Sequence, residues 1–171
     1  MRSLKWTYIA PFNGIPPIYR KDIANSQRNG SFGDLVDEIL ANPPEVADKK
    51  ELDLWAPASM SGQDKLLASL EAVHLLVYDL DEGQSLNHVE AFRDLEFAAH
   101  TSLSHSTAHP KWRLILPLRR PIERDNWPMA WKAGAELWRQ RTGSEIDKAC
   151  KNANRFYFRS GAHRKRRIAD G

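Results

Sequence analysis

At 171 residues with 42% hydrophobic composition, the chain suits one hydrophobic core and is too short for a multidomain machine. Charged residues at 27%, with 9 Gly and 10 Pro, exclude the disordered, collagen-like and low-complexity classes. A net charge of +3 permits a polyanionic partner, no apolar run approaches the roughly 20 residues of a membrane span, and the single Cys150 excludes an internal disulfide or a cysteine-rich zinc site.

Met1–Ala10 carries Arg2 and Lys5 but no apolar core with a small-residue cleavage site, so a soluble, cytoplasmic protein without a membrane partner is expected. Leu4–Ala10 mixes the β-formers Trp6, Tyr8 and Ile9 with polar residues, which predicts a strand. Asn13-Gly14 and Pro16-Pro17 predict a loop after it. Leu35, Val36, Ile39 and Leu40 recur at helical spacing behind a cap at Ser31 or Asp34, and Asn42-Pro43-Pro44 should end that helix. Residues 43–63, rich in charge, Pro, Ser and Gly, read as surface chain with Trp55 and Met60 as isolated anchors.

From Ala72 onward, Val73, Leu75, Leu76, Val77, Tyr78 and Leu80 form a run suited to a strand at the centre of a sheet. Ser85 can cap a short helix whose Val89, Phe92 and Leu95 share a face, and Phe97–Ser102 reads as a second strand. Leu114–Leu118 predicts a further strand in which Pro117 belongs near an edge or an end. A longer helix should follow, capped by Asp125 with Pro128 in its first turn. Trp127, Trp131, Gly134 and Trp138 form its core stripe and Gly143 its terminator. Ser144–Asp147 reads as a short β-like run and Arg155–Arg159 as a half-exposed strand. The order of elements predicts an α+β fold, an antiparallel or mixed sheet with flanking helices. The basic run His163–Arg167 reads either as phosphate contact or as a solvated tail or linker.

Chemistry concentrates at Asp79 and Asp81. Strand alternation aims both carboxylates to one side while Leu80 points into the core. Two like charges so close repel, and a divalent cation coordinated by hard oxygen ligands removes the conflict. Phosphate chemistry on such an ion needs a third acid, which Asp147 supplies with Glu145 as a weaker substitute. It also needs cations for the substrate's phosphates, and Ser104, His105, His109, Lys111 and Arg113 stand at the approach to a strand.

The ordered set of an apolar run with DxD at Leu76–Asp81, TSxSH at Thr101–His105, WRLILPLRRPI at Trp112–Ile122, and EID followed by NRFYF within Glu145–Phe158 resembles the archaeo-eukaryotic primase superfamily. Within it, the likeness is to the primase-polymerase domains of plasmid, phage and integrated-element replication proteins, over residues 50–160. The resemblance implies an RRM-like, palm-like catalytic core and two acidic motifs binding two Mg²⁺ or Mn²⁺ ions. It also implies DNA-directed transfer of nucleotides from NTP or dNTP on a single-stranded template. Carried over by position, Asp79 and Asp81 match the first acidic motif and Asp147 the third. Leu103-Ser104-His105 lacks the small residue expected two places before the His, and Thr107-Ala108-His109 has that pattern but stops short of Arg113. The phosphate ligand is therefore one among His105, His109 and Arg113, with His105 and Arg113 favoured, and Arg155 adds a contact to nucleotide or template. The expected organisation is one catalytic domain over residues 1–162 and a basic tail or linker over 163–171. No GxxxxGK[ST] motif is present, so unwinding is expected from a helicase domain or protein elsewhere.

Two rivals carry other chemistry. Val77–Gly83 (VYDLDEG) resembles the DxD strand of haloacid-dehalogenase-like phosphohydrolases, with Asp79 as nucleophile. A non-catalytic single-stranded nucleic-acid binder would instead use only the basic and aromatic residues, the acids being structural.

Overall fold

The computed structural model describes residues 3–10, 17, 23, 26–41, 48–61, 65, 67–81, 86–159 and 164–167. Its longest strands, β5 (Leu70–Leu80) and β7 (Trp112–Glu123), pair antiparallel through the centre of a five-stranded sheet of order β4-β5-β7-β6-β9. The other members are β4 (Ala58–Met60), β6 (Phe97–Thr101) and β9 (Arg164–Arg167). A four-stranded sheet of order β2-β1-β3-β8 combines β1 (Leu4–Ile9), β2 (Gln27–Gly30), β3 (Leu54–Ala56) and β8 (Tyr157–Phe158). Among the described residues every strand pair is antiparallel, and the fold is α+β as the order of elements predicts.

The five-stranded sheet is covered on both faces, which is why β5 reads as an almost unbroken apolar run. Leu76, Tyr78 and Leu80 of β5 share one cluster with Trp112, Leu114 and Leu116 of β7 and with Trp127, Trp131 and Trp138 of α3 (Trp127–Thr142). The alternate residues Leu75, Val77, Ala98 and Ile115 share a second cluster with β1, with Trp55 and Tyr157, and with the apolar side of α1 (Phe32–Leu40). The period-2 alternation of a strand thus divides the core into two layers.

The helices follow their sequence signals closely. Ser31 caps α1, its side chain accepting from the Asp34 N–H at 3.1 Å while the Asp34 carboxylate accepts from the Ser31 N–H at 2.7 Å. The tryptophan stripe of α3 is buried, and Gly143 ends the helix at φ 69 with its N–H donating to the Arg139 carbonyl at 2.9 Å. Gly134 permits close approach to the sheet, since a Cβ there would stand 3.0 Å from Leu76 Cδ2. The Tyr78 hydroxyl donates to the Gly134 carbonyl at 2.7 Å.

Several local expectations are corrected. Part of residues 43–63 is core: β3 and β4 are buried, and Trp55 is wholly so. Two three-residue strands either side of Pro57 are too short to show a period, and only their pairing to β1 and β5 makes them strands. The strand expected at Leu114–Leu118 runs from Trp112 to Glu123. Pro117 lies beyond Ile115, the last β7 residue paired to β6, so its missing N–H falls where β7 has a neighbour on one side only. Asp125 does not cap α3; Asn126 stands at the N-cap without a side-chain bond, and Asp125 pairs with Arg124 Nε at 3.1 Å. Ser144–Asp147 forms no strand, and of Arg155–Arg159 only Tyr157 and Phe158 are paired, to β3. Residues 164–167, set apart from the domain by their charge, pair with β6 as an edge strand. The expected Ser85 cap, the Asn13–Pro17 loop apart from Pro17, the Asn42–Pro44 stop and His163 lie outside the described residues.

Candidate active site at the end of β5

Register builds the site. Asp79 of β5 stands directly opposite Arg113 of β7, which in turn stands opposite His100 of β6. Cross-strand partners share a face, so the three form one row across the sheet, at the edge of the second core layer. Arg113 donates from Nε to Asp79 Oδ1 at 3.0 Å, its Nη2 lies 2.9 Å from the same oxygen, and its Nη1 donates to the Phe158 carbonyl at 3.2 Å. The guanidinium lies over the Tyr157 ring, 4.4 Å from its centroid. Both side chains of this pair are buried, at 10% exposure for Arg113 and 7% for Asp79.

Carried one step past the last paired residues, Leu80 and Trp112, the same register sets Asp81 opposite Lys111, whose Nζ lies 3.7 Å from Asp81 Oδ1. This pair is more open to water and correspondingly weaker. Asp147 caps a 3₁₀ turn over Lys148–Lys151 by accepting from the Ala149 N–H at 2.8 Å. That turn brings Cys150 beneath β5, where its sulfur accepts from the Asp79 N–H at 3.3 Å. Burial, with the Asp79 carboxylate adding to it, pushes the Cys150 thiol up to about 11.

Arg155 joins the two acidic segments. Its Nη2 donates to Asp79 Oδ2 at 3.0 Å and its Nη1 lies 4.0 Å from Asp147 Oδ2. Its guanidinium also lies 5.4 Å from the centroid of the Tyr157 ring, and its side chain is 28% exposed. Asp79, Asp147 and Arg155, distant in sequence, are thus in one cluster, with Asp81 and Lys111 one step along the sheet.

Ser104, His105 and His109 lie on the loop between β6 and β7, tied to the cluster through Lys111 and Arg113 at its end. His105 Nδ1 accepts from the Lys111 N–H at 3.0 Å, which assigns the ring proton to Nε2, and the ring meets Trp112 edge-on at 5.9 Å. Ser104 pairs with Ser102 through their hydroxyls at 3.2 Å, and the His109 N–H donates to the Ser106 hydroxyl at 3.0 Å. Ser104 and His109 are exposed.

Tyr157, Cys150 and His100 contribute to this region although no sequence motif singled them out. The register of β6 and β7 reveals His100, and the aromatic place in RFYF is the only trace of Tyr157. Burial holds the Tyr157 hydroxyl well above its ordinary ionisation range. On the other flank of β8, Arg159 Nη1 donates to Asp53 Oδ2 and to the Tyr8 hydroxyl, each at 2.8 Å, and the Tyr8 hydroxyl donates to Asp53. The two arginines bracketing β8 therefore serve separate carboxylates.

Three carboxylates supply the hard oxygen donors that Mg²⁺ or Mn²⁺ prefers. Their present arrangement does not fit such an ion. Both Asp79 oxygens accept guanidinium N–H groups, and among the described residues no three His, Cys, Asp or Glu side chains form a group that could hold a metal. Three cations, Arg113, Arg155 and Lys111, face the three acids.

Among the described residues no helix is long and apolar enough to cross a membrane. No protein-family model and no curated protein matches this chain. Among solved structures, the chain is similar to the AEP domain of the primase-polymerase (PrimPol) of cyanophage S-2L, at 12% identity and a TM-score of 0.47, over 93% of this chain and 73% of that one.

Proposed function

We propose that this chain transfers nucleotides from NTP or dNTP under the direction of a single-stranded DNA template, as a primase-polymerase of a replicating mobile element such as a plasmid or phage. An RRM-like, palm-like core is part of that reading, as are cytoplasmic placement, Mg²⁺ or Mn²⁺ as cofactor, and a helicase partner. The observation that carries it is the guanidinium of Arg155 within reach of both Asp79 and Asp147. This is what the three-acid expectation required of two distant segments, and no local structural need explains it.

In this reading the chain's own groups act on charge. His105 Nε2–H, Lys111 and Arg155 are donors placed to neutralise phosphate oxygens, and Arg113, held by Tyr157 and the Phe158 carbonyl, orients Asp79. Ser104 and His109 extend the same donor set along an exposed loop.

A second reading has its own support. The burial of Asp79 and its two arginine partners also suit a structural acid, which leaves a single-stranded nucleic-acid binder. The phosphohydrolase rival loses ground on the same fact, since a nucleophilic aspartate needs an open oxygen.

Incubation with single-stranded template, Mg²⁺ or Mn²⁺ and labelled nucleotides, with and without primer, separates these readings. Template-dependent incorporation that disappears in Asp79→Ala and Asp147→Ala is the expected result. Template binding with no incorporation under any of these conditions refutes nucleotidyl transfer and leaves the binder.

A further inference from the structure

The disagreement between the carboxylates' chemistry and their present partners has a physical resolution. With Arg113, Arg155 and Lys111 against Asp79, Asp81 and Asp147, the cluster is locally neutral, so a divalent cation approaching it gains little Coulomb attraction and finds both Asp79 oxygens taken. One cation must leave before an ion can enter.

The two guanidiniums on Asp79 differ in how firmly they are held. Arg113 approaches Asp79 Oδ1 through two nitrogens, donates to the Phe158 carbonyl with a third, lies over Tyr157 at 4.4 Å and is 10% exposed. Arg155 has one short contact to Asp79, a 4.0 Å contact to Asp147, a looser ring contact at 5.4 Å and 28% exposure. Arg155 is the partner that can move without dismantling the core.

We propose that Arg155 is an exchangeable counter-ion: without substrate it occupies Asp79 and Asp147 and keeps divalent cations out, and an arriving triphosphate draws it onto phosphate oxygens and opens the acids to the ion. The inference rests on the nucleotidyl-transfer reading and adds a regulation to it. A guanidinium fork suits phosphate at least as well as carboxylate, so the exchange leaves no charge stranded. Cation and triphosphate then strengthen each other's binding reciprocally.

The test uses the nucleotide-free full chain and Mn²⁺ alone, followed by the loss of free-ion signal in electron paramagnetic resonance. Arg155→Gln removes the charge while Arg113 keeps Asp79 partnered, and it should bind Mn²⁺ about tenfold tighter than the wild type or better. Arg155→Lys retains the charge and should stay within about threefold of wild type. Arg155→Met, which keeps an apolar stem beside Tyr157, replaces the Gln variant should that one fail to fold. Equal affinity in wild type and Arg155→Gln overturns the exchange, and so does a Lys variant as tight as the Gln variant. In either case template-directed incorporation by the wild type still upholds the parent reading. Mn²⁺ bound by none of these proteins at millimolar concentration overturns the exchange as well as metal-dependent transfer at these acids.

Discussion

Replacing Arg113 with Met strips Asp79 Oδ1 of its guanidinium while leaving Arg155 on Oδ2. Removing one partner of a buried ion pair costs about 3–5 kcal/mol, because the remaining charge keeps its desolvation penalty and loses its compensation. Here Arg155 retains part of that compensation, which argues for the low end. The lost bond to the Phe158 carbonyl and the lost stacking on Tyr157 add about 1 kcal/mol each, and the Met side chain recovers some of the packing. The expected destabilisation is about 3 kcal/mol or more, measured as a lower urea midpoint. In a chain of this length that corresponds to a Tm lower by about 6–12 °C. Adding Asp79→Asn to the variant should then cost less than it does in the wild type, with a coupling of at least about 1 kcal/mol, since the two residues share one interaction. A cost below about 1 kcal/mol for Arg113→Met, with additive behaviour in the double variant, would refute the claim that this pair holds the end of β5.

Two further outcomes test the packing beneath the site. The folded-state value of the Cys150 thiol, near 11, lies above the ordinary thiol range near 8.5. Unfolded chain therefore loses this proton first as the solution becomes alkaline, so the stability the buried thiol contributes is whole below about pH 8.5 and disappears as pH rises toward 11. The loss is of order 2 kcal/mol, and Cys150→Ala should show a shallower fall of urea midpoint between pH 9 and 11 than the wild type; parallel curves would contradict the assignment. Gly134→Ala places a methyl 3.0 Å from Leu76 Cδ2 and 3.1 Å from Cδ1, an overpacking that should cost about 1–2 kcal/mol in chemical denaturation despite the better helix propensity of Ala. An unchanged or raised midpoint would show that α3 can move off β5.

Local pattern was enough to recognise the long elements and the nature of the chemistry. The apolar run into Asp79 and Asp81, the tryptophan spacing of α3, and the Ser31 and Gly143 signals each act within a few residues, where side-chain period and backbone preference leave few choices. The three acids could be chosen from residue type and order. Their partners could not: that Arg113 lies on Asp79 depends on the β5–β7 register, and that Arg155 reaches Asp79 and Asp147 depends on the 3₁₀ turn and β8 docking from another sheet. The three-residue strands around Pro57 show the same limit, having no period of their own and becoming core only through β1 and β5. Pairing between distant segments is set by the burial and hydrogen bonding of the whole chain. Short-range sequence therefore named the charges at the site, and the tertiary structure alone decided which of them neutralise one another.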